Sequence, residues 1–167
     1  MGSLELEGLV EITGILVGLL HVFYSERRLK IEAGSLYLPK DDELKPRGDD
    51  AHFIYTKKQT IGLADGVGGW TWRGVDAGKY AQQLMTNSLI AFHNQPKGAV
   101  NPKMVLFEAY SNTKAQVSST ACIITLDGHE LEVEVEVEED DIVVVGTDGL
   151  LDNLHESEIK EIINHGV

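Results

Sequence analysis

The stretch that decides the fold is Thr60-Ile61-Gly62-Leu63-Ala64-Asp65-Gly66-Val67-Gly68-Gly69-Trp70. An apolar run of this kind predicts a buried strand, and the glycines after it turn the chain sharply away. The pattern returns as Asp141-Ile142-Val143-Val144-Val145-Gly146-Thr147-Asp148-Gly149, where a second apolar run again ends in Asp-Gly. Asp65 and Asp148 therefore stand at the ends of two strands. Two carboxylates presented in this way suit a hard divalent cation, which prefers oxygen ligands.

Apolar patterns on either side of this stretch predict further strands and helices. Strands are predicted over 31–38, 51–55, 60–64, 118–126, 131–137 and 142–145, and helices over 77–92, 102–116 and 156–163. The runs 51–55 and 60–64 flank a short polar link, which is typical of a hairpin. Such a hairpin brings Asp49 and Asp50 close to Asp65.

Two of the predicted strands have distinct patterns. Valine and leucine alternate strictly with glutamate over 131–137, which predicts one half-exposed strand. Residues 142–145 are apolar on both faces, so this strand is predicted to be central in its sheet.

The composition indicates one acidic globular domain. The chain has 167 residues, of which 43% are hydrophobic, a proportion typical of folded proteins. Its 27 acidic and 14 basic residues give a net charge of -13, which disfavours nucleic-acid binding and suits cation binding. Cys122 is the only cysteine, so no intrachain disulfide can form and a reducing compartment is expected. We expect Cys122 to be a small buried residue of its strand.

An uncharged apolar segment covers residues 12–24. It is shorter than the roughly 20 residues of a membrane-spanning helix. Glu5, Glu7 and Glu11 also do not fit the basic start of a targeting peptide. We predict a packed helix or a strand added to the fold, with attachment at a membrane interface as the alternative. No membrane partner is expected, and the predicted location is intracellular, in the cytoplasm.

Three motifs resemble the metal-dependent protein phosphatase 2C family, in its plant-type branch. They are Ala51-His52-Phe53-Ile54, Asp65-Gly66-Val67-Gly68-Gly69-Trp70 and Gly146-Thr147-Asp148-Gly149-Leu150-Leu151-Asp152-Asn153. The likeness runs in order from about Leu29 to the C-terminus. It implies an N-terminal extension over 1–28 and a partial phosphatase domain over 29–167. The implied fold is α+β, an antiparallel β-sandwich flanked by helices, here incomplete.

The sequence departs from the family pattern in several places. A long family section between the strands 118–126 and 142–145, including a Gly-Asp-Ser signature, has no counterpart here. The chain also ends before the strand pair that carries another metal-binding aspartate in the family. Asp49-Asp50 stands where the family usually has Glu-Asp, and Val67 stands where many members have histidine. The chain therefore resembles an internally deleted and C-terminally shortened member.

The resemblance also implies a reaction and a site. The reaction is hydrolysis of phosphoserine or phosphothreonine in proteins by a water activated at two Mg²⁺ or Mn²⁺ ions. Asp65 and Asp148 are the implied catalytic residues. Asp65 would bridge the metals, with the Gly66 carbonyl on one ion and Asp148 on the other. The pair Asp49-Asp50 would contribute to the same metal site.

The missing sections leave a second function open, a non-catalytic remnant that binds or regulates partner proteins. They also predict exposed sheet edges and hence self-association. His52 is read as structural, because a histidine in a strand beside a turn is more often structural than catalytic.

Overall fold

The computed structural model describes residues 15–25, 28–39, 47–67, 76–95, 101–115, 117–127, 130–131, 135–136, 140 and 142–166. The elements run in the order β1 (Ile15–Ser25), β2 (Arg28–Leu38), β3 (Asp50–Tyr55), a 3₁₀ turn (Thr56–Lys58), β4 (Thr60–Gly66), α1 (Ala77–Asn94), α2 (Pro102–Asn112), β5 (Ser119–Asp127), β6 (Glu130–Leu131), β7 (Val135–Glu136), β8 (Ile142–Gly146), α3 (Asp148–Leu151) and α4 (Glu156–Gly166).

The first sheet has three antiparallel strands in the order β2-β1-β8. Strand β1 pairs with β2 along all eleven of its residues, and with β8 on its other side. Leu16, Leu20 and Val22 are separated by even numbers of residues, so they point to one face of the strand, where they are buried. The described part of the apolar N-terminal segment, from Ile15 on, is therefore a strand packed in the fold, one of the two structures predicted for it.

The second sheet has the order β3-β4-β5-β6-β7, also antiparallel. The predicted hairpin of β3 and β4 is present, and its register sets Asp50 opposite Asp65. Gln59 closes the hairpin at a φ of 51°. Its side chain accepts a hydrogen bond from the Ile31 backbone N–H at 2.5 Å, which ties the hairpin to the first sheet. Strand β4 lies between β3 and β5 and is almost entirely buried.

The two sheets pack face to face, and the helices cover the outer face of the second sheet. The core between the sheets consists of Leu16, Leu20, Val22, Leu29, Ile31, Ile61, Leu63, Ile124 and Leu126. On the outer face, Phe53 contacts Phe92 of α1 with ring centroids 5.9 Å apart. Ala64, Val105 and Ile123 belong to the same outer cluster. This arrangement confirms the predicted α+β class with an antiparallel sandwich flanked by helices.

The two predicted helices between β4 and β5 are present. Helix α1 begins after Asp76, whose backbone conformation is that of an N-cap although its side chain makes no capping hydrogen bond. Helix α1 buries Tyr80, Ala81, Leu84, Met85 and Phe92, while Leu89 is 36% exposed. Helix α2 is capped by the Asn101 side chain, which accepts the Met104 backbone N–H at 3.1 Å. No helix in the described part of the chain is long and apolar enough to cross a membrane.

Two predictions about strands were wrong. The run 131–137 is not one strand, because β6 and β7 pair with each other antiparallel, Glu130 opposite Glu136. Side chains alternate between the two faces in both strands of a hairpin, so alternation in the sequence does not show whether the chain reverses its direction. Strand β8 is not central: of the described strands it pairs with β1 only, and its residues are half-buried. Its apolar composition is compatible with a central strand and with an edge strand alike.

The environment of Cys122 also differs from the prediction. The residue is exposed on β5 and its thiol is free. Partial burial of the side chain raises the pKa of the Cys122 thiol. Residues of β5 alternate in exposure up to Cys122, and only the following four residues are buried.

Candidate metal centre

The centre of the candidate site is a pair of carboxyl groups at one end of the β3–β4 hairpin. Asp50 begins β3 and Asp65 lies opposite it near the end of β4. Asp50 is only 7% exposed, and its side chain shares a hydrogen bond with Asp65. Burial, the negative charge of Asp65 and this hydrogen bond raise the pKa of Asp50 from 3.8 to about 7. Two ionised carboxylates cannot donate to one another, so this hydrogen bond requires a proton on one of them, which the raised pKa of Asp50 favours in the metal-free protein.

Asp148 approaches this pair from the other sheet. It is the first residue of α3 and is exposed. Its negative charge contributes to the raised pKa of Asp50, as does that of Asp49. The structure thus brings all four predicted aspartates to one end of the sandwich.

Thr147 fixes the chain directly before Asp148. Its hydroxyl accepts the Leu16 backbone N–H at 3.2 Å, and its own N–H donates to the Leu16 carbonyl at 3.0 Å. The hydroxyl also lies 3.5 Å from Asp50 Oδ2. Strand β1 therefore holds the backbone that carries Asp148, and Thr147 connects that backbone to the carboxyl pair.

Residues 47–50 form the acidic loop, which leads into β3. Its Asp49 carbonyl accepts the Gly66 backbone N–H at 3.0 Å. A Cβ atom at position 66 would lie 2.6 Å from the Ala77 carbonyl oxygen and 2.7 Å from the Asp49 carbonyl oxygen. Only glycine therefore allows the end of β4 to pass between the acidic loop and the start of α1. This close approach gives a physical reason for glycine after Asp65.

The donor chemistry of the site suits a hard cation, but the ligand set is not assembled. A cation between Asp50 and Asp65 would relieve the repulsion that now raises the pKa of Asp50. Among the described residues, however, no three His, Cys, Asp or Glu side chains are placed to hold a metal ion together. Asp148 is exposed and Asp49 is half-buried, so neither is enclosed together with Asp50. Gly68, Gly69 and Trp70 of the motif lie outside the described residues.

Two neighbours of the site were not predicted from the sequence as contacts. The Ser119 hydroxyl donates to the Asp65 carbonyl at 2.8 Å and so secures β4 from the β5 side. The Tyr37 hydroxyl donates to the Arg47 carbonyl at 2.9 Å and accepts the Asp50 N–H at 3.2 Å. Burial raises the pKa of Tyr37, so its hydroxyl stays protonated and remains a donor. Ser119 lies in the strand predicted over 118–126, whereas nothing in the sequence marks Tyr37.

His52 has a structural contact, in agreement with its prediction. Its Nε2 lies 2.8 Å from the Ser35 hydroxyl on β2, so the pair connects the two sheets. Burial lowers the pKa of His52, which favours the neutral ring in that contact.

Known proteins are similar in sequence to this chain over most of its length. The chain is 38% identical over 187 aligned positions to "Probable protein phosphatase 2C 55" of Arabidopsis thaliana, covering 83% of this chain and 40% of that protein. It is 34% identical over 188 positions to "Probable protein phosphatase 2C 80" of the same plant, covering 83% of this chain and 45% of that protein. The chain belongs to the protein phosphatase 2C family.

The fold agrees with this family. The X-ray structure of the photosystem II phosphatase PBCP matches 90% of this chain and 73% of its own length, with a TM-score of 0.58. The sequence identity in that match is 17%, so the likeness concerns the fold. No family model matches the sequence.

The chain spans less than half the length of these two phosphatase 2C relatives. The first alignment covers 187 positions, more than the 167 residues of the whole chain. That relative therefore has residues within the aligned region that have no counterpart here, as expected for an internal deletion.

Proposed function

We propose that the chain is a metal-dependent protein serine/threonine phosphatase with weak turnover. The observation that carries the proposal is the pair of buried Asp50 and half-buried Asp65 at a strand end, with Asp49 and Asp148 close enough to raise the pKa of Asp50. Burying like charges together is unfavourable unless a cation compensates them. Membership of the phosphatase 2C family supports Mg²⁺ or Mn²⁺ as that cation.

Each residue of the site has a proposed role. Asp65 would be a ligand of both ions, Asp148 would hold one of them, and the Gly66 carbonyl would hold the other. Asp49 and Asp50 would bind directly or through water. Bound metal would supply charge neutralisation and an activated water for attack on phosphorus. The proposed substrates are proteins that carry phosphoserine or phosphothreonine.

The chain's own residues would orient the ligands. Thr147 holds the start of α3, and Ser119 holds the Asp65 backbone. Val67 offers no ionisable group directly after Asp65-Gly66, so the leaving oxygen would take its proton from solvent. This missing proton donor is one reason to expect slow turnover, since a positioned acid typically contributes about 10²–10⁴-fold.

A phosphothreonine peptide tests the proposal. We expect phosphate to be released in the presence of Mn²⁺ or Mg²⁺. The release should stop when EDTA removes the metal and resume when Mn²⁺ is restored. Asp148→Asn should remove the metal-dependent part of the rate, whereas Asp152→Asn, an exposed aspartate four residues on, should not. Metal-dependent hydrolysis that persists in Asp148→Asn would contradict the assigned site.

A second candidate function is a non-catalytic remnant that binds or regulates partner proteins. It is favoured by the described part of the chain, in which no three potential ligands converge on one point. If Mn²⁺ binds but phosphate release from the peptide stays at the rate measured in buffer alone, the chain is a non-catalytic remnant.

Self-association through the sheet edges is a further proposal. In the described sheet β2-β1-β8, strand β2 lies at an edge and exposes Leu36 and Leu38, 54% and 43% accessible. Apolar edge strands of this kind pair with other chains. Sedimentation velocity should show a mass that rises with protein concentration, and Leu36→Lys should reduce the effect. A monomer at every concentration would contradict it.

A further inference from the structure

One tyrosine closes both ends of the acidic loop. The Tyr37 hydroxyl extends from β2 and donates its proton to the Arg47 carbonyl at 2.9 Å. The same oxygen accepts the Asp50 backbone N–H at 3.2 Å. A hydroxyl has one donor and two acceptor sites, so both contacts form at once. Arg47 and Asp50 are the first and last residues of the loop, and a single atom therefore fixes its span.

The middle of the loop is confined by the same hydroxyl. Gly48 has a φ of 63°, in the region that favours glycine, and a Cβ atom there would collide with the Tyr37 hydroxyl. On its other side the Gly48 carbonyl lies against Gly78 of α1, where an added Cβ would also collide with it. The loop is thus enclosed between β2 and the start of α1.

The loop carries two of the proposed ligands into position. Its last residue, Asp50, begins β3 opposite Asp65, and its Asp49 carbonyl accepts the Gly66 N–H. If the loop moved away from β2, Asp50 would lose the backbone hydrogen bond that fixes the start of β3 opposite the end of β4. The position of Asp50 therefore depends on a group that is not itself a proposed ligand.

We infer that Tyr37 is a positioning residue for the metal centre, holding the acidic loop so that Asp50 faces Asp65. The effect of Tyr37 on metal binding rests on the proposed function. The hydrogen bonds by which Tyr37 holds the acidic loop are a property of the metal-free protein. Groups that orient metal ligands without touching the metal typically change the affinity by about 10- to 100-fold when removed.

Tyr37→Phe removes the hydroxyl and keeps the ring. The matched control is Tyr55→Phe at the far end of β3, which deletes a hydroxyl 3.4 Å from His93 Nδ1. Titration calorimetry with Mn²⁺ is expected to give an affinity about 10- to 100-fold weaker in Tyr37→Phe and unchanged in Tyr55→Phe. In the metal-free protein, the Asp50 amide should exchange its hydrogen faster in Tyr37→Phe only, because its acceptor is gone.

The outcomes separate this inference from the proposed function. Equal Mn²⁺ affinity in Tyr37→Phe and the wild type would overturn the positioning role and leave the metal site standing. Failure of the wild type to bind Mn²⁺ would overturn the proposed function, and with it the metal role of Tyr37. The hold on the loop would then be decided by hydrogen exchange, where an unchanged Asp50 amide would overturn it.

Discussion

Asp65→Asn is expected to weaken Mn²⁺ binding by more than about 100-fold, because even groups outside the coordination shell account for 10- to 100-fold. Asp65 is central to the site: it faces Asp50 across the hairpin, and its charge and hydrogen bond contribute to the raised pKa of Asp50. The amide keeps the size of the side chain but removes the charge that a cation would neutralise. Any metal-dependent phosphate release should disappear with the binding.

The same substitution should stabilise the metal-free protein above about pH 5. The pKa of Asp50 is about 7 in the folded protein against an ordinary value of 3.8. The stability that protonated Asp50 contributes is therefore fully present below about pH 4 and is lost as the pH rises through about 7. Over this range the free energy of unfolding falls by at most about 1.4 kcal/mol per pH unit. Removing the neighbouring charge brings the pKa of Asp50 down and makes this loss smaller.

Calorimetric titration and thermal unfolding in EDTA at pH 5.5 and 7.5 test both effects. The control is Asp127→Asn, an equal change of charge at the exposed end of β5. The wild type and the control should unfold at a lower temperature at pH 7.5 than at pH 5.5, and Asp65→Asn should show a smaller difference. Undiminished Mn²⁺ binding in Asp65→Asn would move the metal site elsewhere in the chain.

The parts of the site that follow from local sequence were predictable. Two apolar runs joined by a short polar link define a hairpin, and the alternation of side chains then sets Asp50 against Asp65. The apolar run before Asp148 gave the second strand end in the same way. These features depend on residues within a few positions of one another.

The remaining features depend on distant contacts. Thr147 is held by Leu16, 131 residues earlier, and the acidic loop is held by Tyr37 through backbone atoms. Hydrogen bonds to backbone atoms place no requirement on the residue type of their partner, so no sequence pattern reports them. The edge position of β8 was unpredictable for a related reason. The amino-acid composition of a strand reflects the burial of its two faces, whereas its position at the edge or centre of the sheet depends on which strands pair with it.

Gly66→Ala is expected to destabilise the protein by about 1–3 kcal/mol, the usual range for overpacking. The added methyl would lie 2.6 Å from the Ala77 carbonyl oxygen and 2.7 Å from the Asp49 carbonyl oxygen. Both neighbours are backbone atoms, so the end of β4 or the acidic loop must move to make room. Either movement displaces the Gly66 carbonyl from Asp50 and Asp65, and Mn²⁺ affinity should fall together with stability.

The matched control is Gly34→Ala on β2, where an added Cβ has no atom within 4 Å. Alanine is expected to be neutral or slightly stabilising there, because it restricts the unfolded chain without a collision. Thermal unfolding and Mn²⁺ titration of both variants separate crowding from the general effect of losing a glycine. If Gly66→Ala unfolds and binds Mn²⁺ like Gly34→Ala, the close approach of β4, the acidic loop and α1 does not set the geometry of the site.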